Sequence, residues 1–470
     1  MKRWMIRLMA ALIIGIWVFM NGDYRFALIS ASATESIDTV PDFKKLKQAY
    51  EIITEKYVDS VDDKRLLEGA IQGMLSTLED PYSVYMDKET VQQFTQSLDS
   101  SFEGIGAEVG MQNEKFVIIS PFKHSPAERA GIKPNDEIIK IDGRPVSNLD
   151  LQEVVLKIRG KKGTFVRLTI KRPGHDELLS VKVKRDTIPI ETVFSSLANK
   201  NGKRIGVLNI TSFSEKTGDH FKEKLENLEK TQIDGLVIDV RGNPGGYLQT
   251  VEQILQNLIP QNVPYVQIED RNGKRQPFYS KLKEKKPYPI AVLIDKGSAS
   301  ASEILAAALK EAGGYAAVGE TSFGKGTVQQ TIPLDDGSNI KLTLYKWLTP
   351  NGNWIHGKGI EPTVEVSQPK YFHVGPLFVD QPLKRDMNNE QVKSLQILLS
   401  GLGFETGRTD GYFDKGTEIA VKAFQQINGL PVTGIINKQA ALKINEQIQK
   451  QVRSPESDLQ LQTAISLLAI

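Results

Sequence analysis

Ile290-Ala-Val-Leu-Ile-Asp-Lys-Gly-Ser-Ala-Ser-Ala-Ser-Glu-Ile-Leu-Ala-Ala-Ala-Leu309 passes from an apolar run, through a Gly/Ser linker, into apolar positions spaced three and four apart. The spacing predicts a strand over Ile290 to Ile294, a turn, and a helix with Ile304, Leu305, Ala308 and Leu309 on one face. The same succession recurs upstream. Ile205 to Ile210 reads as a strand followed by a helix carrying Phe221, Leu225 and Leu228. Leu236 to Val240 reads as a strand followed by a helix carrying Leu248, Val251, Ile254, Leu255 and Leu258. Alternating strands and helices predict an α/β layer with parallel strands, whose functional loops lie at the carboxyl ends of the strands.

Around this core the chain has room for more. Its 470 residues, 40% hydrophobic and 25% charged, suggest about three domains at ~150 residues each. Fifty-nine Lys and Arg against 57 Asp and Glu leave a net charge of +2, too balanced for the basic field that nucleic-acid binding needs, so no nucleic-acid partner is expected. With no cysteine there are no disulfides, thiolate metal sites or thiol nucleophiles. The five histidines, at 124, 175, 220, 356 and 373, lack the spacing of a metal site, and neither a metal nor a cofactor is expected.

The N-terminus joins Lys2, Arg3 and Arg7 to an apolar run from Leu8 to Met20 and then to Ala31-Ser32-Ala33. This is the pattern of an export signal, cleaved or kept as an anchor, and it predicts a protein on the extracellular face of the membrane or in the wall. From Phe43 to Leu98, apolar residues at helical spacing (Phe43, Leu46, Tyr50, Ile53, Tyr57; Leu67, Ile71, Met74, Leu75, Leu78) predict a helical arm, which either packs on its own body or pairs with a second copy; a homodimer through residues 43–98 is expected.

Short β-branched runs then alternate with Gly and Pro. Ser125-Pro-Ala-Glu-Arg-Ala-Gly-Ile-Lys-Pro-Asn-Asp-Glu-Ile-Ile-Lys-Ile-Asp-Gly143 resembles a PDZ domain. The resemblance implies that Gly104-Ile105-Gly106 is the loop whose amides receive a chain-terminal carboxylate, although the same glycines also suit a plain tight turn. Beyond Pro376, Gly403-Phe404, Asp410-Gly-Tyr-Phe413, Ala423-Phe-Gln425 and Gly429-Leu-Pro-Val-Thr-Gly434 resemble the peptidoglycan-binding domain of type 1. That makes peptidoglycan a candidate partner. The expected order is therefore a signal or anchor (1–33), helical arm (34–101), PDZ domain (102–187), α/β core (188–370), helical wall-binding domain (376–450) and a loose tail (451–470).

Three segments carry the chemistry. Asp239-Val-Arg-Gly-Asn-Pro-Gly-Gly246 ends a strand, and the amides of Gly245 and Gly246 at the next helix can hold an oxyanion. Gly297-Ser-Ala-Ser-Ala-Ser-Glu303 offers Ser298, Ser300 or Ser302 as a nucleophile. Thr321-Ser-Phe-Gly-Lys-Gly-Thr-Val-Gln-Gln330 supplies Lys325. No histidine neighbours these serines, so a desolvated lysine is the available base. Gln329, four residues on, shares a face with Lys325 if the segment is a strand, and could orient it. Plainer readings exist. Ser300 and Glu303 fit a helix capping box, and a lysine between glycines suits an exposed loop. Gly319 to Lys325 nearly spells a phosphate-binding loop, but Gly326 stands where Ser or Thr is needed for magnesium.

At these residues, and at Tyr57-Val-Asp-Ser-Val-Asp62 and Asp80-Pro-Tyr-Ser83, the chain resembles the carboxyl-terminal processing peptidases, serine protease family S41. The resemblance implies Ser300 as nucleophile, Lys325 as base, Gln329 as its positioner, and an oxyanion hole from amides near Gly245 or Gly246 and at Ala301. It also implies substrates that are proteins or peptides with exposed apolar carboxyl termini, captured by the PDZ domain and cut through an acyl-enzyme. Arg159, just after the PDZ helix, is a candidate for coupling PDZ and site through a salt bridge, or else a solvated surface charge. The alternative from another class is a non-catalytic scaffold at the cell wall.

Overall fold

The computed structural model describes residues 41–112, 115–175 and 177–470; the export segment read from residues 1–33 lies outside them. The chain divides after Leu78 into two compact units.

The first unit holds two helices, Pro41–Lys56 and Asp63–Ser76, the second capped by the Asp62 carboxylate on the Arg65 amide at 3.1 Å. Phe43, Leu46, Ile53, Tyr57, Leu67 and Met74 all lie exposed on these helices or at their ends. The helical arm is thus shorter than expected. Residues 79–98 belong to the second unit, where strand Val84–Met86 pairs antiparallel with strand Asn339–Leu348, followed by helix Lys88–Leu98.

The centre of the second unit is a six-stranded sheet ordered Val193–Lys200, Lys203–Ile210, Gly235–Asp239, Ile290–Ile294, Ala316–Gly319, Val364–Glu365. The first pair is antiparallel and the other four contacts are parallel. Strand alternation sorts the side chains. Leu236, Ile238, Ile290, Val292 and Ile294 join one core with helices Thr217–Lys230, Leu248–Leu255 and Ala301–Ala307. Val237, Ala291 and Leu293 point the other way.

That opposite face is covered by helix Leu459–Leu468, whose Ala464, Ile465 and Leu468 pack on Ile205, Val207, Val237, Ala291, Leu293 and Val318. The loose tail expected over 451–470 is therefore corrected: its last helix completes the central sheet. An apolar sheet face must be covered, and no other described helix lies on this one. Asp458 caps the helix through the Leu461 amide at 2.9 Å and also pairs with Arg241, at the end of strand Gly235–Asp239, at 2.7 Å.

A second, antiparallel sheet is built from Val84–Met86, Asn339–Leu348, Pro264–Glu269 and Arg275–Tyr279, with Thr327–Pro333 also on Asn339–Leu348. The PDZ expectation holds in its local chemistry. Ser125 Oγ accepts the Glu128 amide at 3.1 Å ahead of helix Pro126–Arg129, and Asp142 and Gly143 adopt φ of 48° and 82° at the turn between strands. Toward the C-terminus, helices Glu390–Gly401, Lys415–Ile427 and Lys438–Arg453 surround their own core of Leu395, Leu399, Phe413, Val421, Phe424 and Ile444.

Candidate active site

The three serines of the 297–303 loop have separate fates. Ser298 Oγ donates to the Val240 carbonyl at 2.8 Å and Ser302 Oγ to the Asn243 carbonyl at 2.8 Å, both fully buried. Ser300 is half-buried, lines a cavity of about 370 Å³, and donates its hydroxyl to no acceptor among the described residues. Burial separates the three: two hydroxyls hold the loop and the third is presented to the cavity. Ser300 sits at φ 55°, ψ −110° at the head of helix Ala301–Ala307, a conformation costing about 1–3 kcal/mol that the surrounding packing must enforce.

Glu303 is the enforcer. As a capping box requires, its Oε2 accepts the Ser300 amide at 2.7 Å, but the same oxygen accepts the Lys325 amide at 2.8 Å. Its Oε1 takes the Gly324 amide and the Ser322 hydroxyl, each at 2.6 Å. One fully buried carboxylate thereby fastens the serine and lysine segments together. The capping reading was sound but incomplete, because the partners from 322–325 arrive only through the fold.

The glycines of the 239–246 loop also separate. The Gly245 amide already donates to Asn243 Oδ1 at 2.9 Å, and its carbonyl accepts the Phe213 amide at 3.0 Å. It is not available as an oxyanion donor; its part is to let the loop approach, since a Cβ there would lie 3.0 Å from Ser300 Cβ. The amides of Gly246 and Ala301 donate to no partner among the described residues, and both residues line the cavity with Ser300. Gly246 is at φ 149°, where a Cβ would come 2.2 Å from the Phe213 carbonyl oxygen.

Lys325 lines the same cavity. Its backbone is held by Glu303 and by Trp347 Nε1 on its carbonyl at 2.8 Å. Burial, and then the neighbouring Lys341 ammonium, push its side chain below the ordinary lysine range, against the pull of Asp80 and Glu303. Nζ lies over the Tyr82 ring, 4.6 Å from the centroid, and makes no hydrogen bond to Ser300 among the described residues. Gln329 lines the same cavity but not as expected. Strand Thr327–Pro333 begins after Lys325 and its register shifts between Val328 and Gln329, so the even spacing does not carry a common face. Gln329 Nε2 instead donates to Thr327 Oγ1 at 2.9 Å and Thr343 Oγ1 at 3.1 Å. Lys341, also in the cavity and pushed down by burial, was not singled out in the sequence. Val91, Phe94 and Leu98 of helix Lys88–Leu98 add an apolar wall.

In the PDZ domain, the carbonyls of Ile105 and Gly106 accept the Ala127 and Phe122 amides at 2.8 and 2.9 Å, while the amides of Ile105 and Gly106 donate to no described partner. Gly106 is at φ 72°, and a Cβ would sit 2.6 Å from Ser125 Cβ. Arg159 forms no salt bridge among the described residues; its guanidinium lies 4.8 Å from the centroid of Phe102, in the strand leading to that loop.

A presented hydroxyl, a desolvated amine and two unpartnered amides around one cavity, on an α/β sheet carrying a PDZ domain, describe a serine peptidase. The sequence profile of Peptidase family S41 matches residues 204–366, that of the PDZ domain 104–183, that of the activating protease CtpB N-terminal domain 16–90, and that of a peptidoglycan binding domain 388–441. The chain is 58% identical over 444 residues to the carboxy-terminal processing protease CtpB of Bacillus subtilis (strain 168), covering 94% of this chain and 92% of that protein. It is 41% identical over 426 residues to CtpA of the same organism, covering 91% and 90%. The chain belongs to the carboxy-terminal processing proteases of family S41 and is a serine protease acting on protein substrates. Its peptidoglycan-binding domain implies an extracytoplasmic location.

Proposed function

We propose that Ser300 is the nucleophile, Lys325 the general base, and the amides of Gly246 and Ala301 the oxyanion donors. The observation that carries this reading is the convergence, on one cavity, of the only loop serine not bound into the core with a lysine whose charge is disfavoured by burial. Lys325 takes the hydroxyl proton as Ser300 Oγ attacks the scissile carbonyl, then delivers it to the leaving amine. An acyl-enzyme remains. Lys325 next takes a proton from water, whose oxygen attacks the acyl carbon, and returns it to Ser300 as the new carboxyl end leaves. Gln329 serves as the positioner of Lys325 once it has left Thr343.

The PDZ domain captures an extended, apolar carboxyl terminus on the free amides of Ile105 and Gly106, and Arg159, stacked beside that loop, relays occupancy to the protease core. The exported chain, secreted or anchored by its N-terminal segment, works at the outer membrane surface or in the wall. Ser300→Ala and Lys325→Ala should each abolish cleavage of an unstructured peptide with an apolar end while leaving its binding to the PDZ domain intact. Undiminished turnover in either variant removes the assignment.

A further inference from the structure

The Asp80-Pro-Tyr-Ser83 turn has no part in the acyl-transfer scheme, yet it places an aromatic ring against the Lys325 amine. Tyr82 presents its ring face to Lys325 Nζ at 4.6 Å from the centroid, and His356 closes on the ring edge with centroids 6.2 Å apart at 82°. The turn is built to keep the ring there. Asp80 accepts the Tyr82 amide at 3.0 Å and the Ser83 hydroxyl at 2.6 Å, and Ser83 Oγ accepts the Thr343 amide at 3.0 Å. Thr343 Oγ1 in turn holds Gln329 Nε2 at 3.1 Å. A single strand residue thus anchors both the ring beneath the lysine and the glutamine that does not reach it.

An aromatic face attracts an ammonium and not a neutral amine. The ring therefore favours the protonated lysine, the form that cannot accept a proton. We propose that Tyr82 is a positioning residue for the proton-transfer step: its ring holds the Lys325 amine off Ser300, and the amine leaves the ring when the dyad forms. This rests on the reading of Lys325 as base. The other charged groups facing Lys325 are Lys341 from strand Asn339–Leu348, Asp80 from the turn itself and Glu303 from the helix after Ser300. Lys341 opposes the charged form and the two carboxylates favour it, so the ring acts in the same direction as Asp80.

The test is the pH dependence of Ser300 phosphonylation by a small fluorophosphonate, with loss of fluoride, which needs no PDZ engagement, in the full chain. Tyr82→Phe keeps the π face and should leave the midpoint in place. Tyr82→Leu removes it and should lower the midpoint by about half to one pH unit. An unmoved midpoint in Tyr82→Leu, or an equal shift in Tyr82→Phe, overturns the proposal. Lys325→Ala separates the two readings: if it is phosphonylated like wild type the base assignment itself fails, whereas an inert Lys325→Ala beside an unshifted Tyr82→Leu condemns the tyrosine alone. Should Tyr82→Leu fold poorly, 13C-dimethylated wild-type protein decides. The Lys325 methyl signal, identified by its absence from Lys325→Ala, should be displaced upfield by the ring, and a signal at the ordinary lysine position refutes the contact.

Discussion

Lys341 stands on the cavity wall with its Nζ 4.9 Å from the centroid of the Phe94 ring, and it is the neighbouring charge that, after burial, most lowers Lys325. On the proposal that Lys325 is the general base, which works when deprotonated, the rate should rise with pH through the Lys325 titration, with a midpoint below the ordinary lysine value of about 10.4. Removing the like charge makes the Lys325 ammonium easier to keep. Lys341→Met should accordingly move the rising limb of kcat/KM to higher pH, and a limb that stays put in a pH titration would show that Lys341 has no hold on the base. Gly246 offers a second test. Its missing Cβ would fall 2.2 Å from the Phe213 carbonyl oxygen, a backbone atom that cannot rotate aside. Gly246→Ala should displace the amide and lower kcat by about 10²–10³-fold with KM little changed; steady-state kinetics would read an unaltered kcat as evidence that the oxyanion is held elsewhere.

Among the elements, helix Leu459–Leu468 changes the picture of the chain most. Arg241 Nη2 binds Asp239 and Asp458, each at 2.7 Å, and Nη1 binds Gln460 at 2.9 Å. Burial works against the Arg241 charge, but Asp239 and then Asp458 outweigh it and hold the guanidinium firmly protonated. Stopping the chain after Arg453 removes half of this buried cluster and uncovers one sheet face. The melting temperature should fall by on the order of 10 °C, since breaking such a pair costs about 3–5 kcal/mol. The wall-binding domain itself is an insertion between strand Val364–Glu365 and this helix. Its flanks meet, because Gln368 Oε1 accepts the Leu459 amide at 3.1 Å and its Nε2 donates to Asp458 at 2.5 Å. Excising residues 372–453 and closing the gap with a short Gly/Ser linker should therefore preserve the melting temperature that truncation loses. Equal loss in both, by calorimetry, would contradict this account.

At the scale of the whole molecule, the two N-terminal helices carry a series of exposed apolar side chains. Among their described residues, none of the second helix is buried, and Phe43, Leu46, Ile53 and Met74 face outward. We predict that a second copy covers them. Light scattering of the intact chain should give a dimer mass, and Leu46→Glu with Met74→Glu should halve it; a monomer before substitution would end the idea.

Much of this was readable in advance. Leu236 to Ile238 and Ile290 to Ile294 are runs apolar at every position, which only strands covered on both faces tolerate, and the Gly-rich and Gly/Ser segments that follow mark where loops open. Ser125-Pro126 and Asp142-Gly143 announce their turns by chemistry acting over two or three residues. The antiparallel sheet was not readable, since Thr327–Pro333 carries polar residues on a half-exposed strand, and its bulge breaks the parity from which the orientation of Gln329 was reasoned. From sequence alone followed the layered α/β core, the PDZ and wall-binding units and the short set of residues able to do the chemistry, because periodicity and turn preference are local properties of the chain. Only the tertiary structure decided which serine is presented, which glycine amide is free, that Glu303 ties both reacting segments together, that Lys325 rests on Tyr82 and that the terminal residues close the sheet. Each of those outcomes depends on burial and on partners brought from distant parts of the chain, which no local pattern encodes.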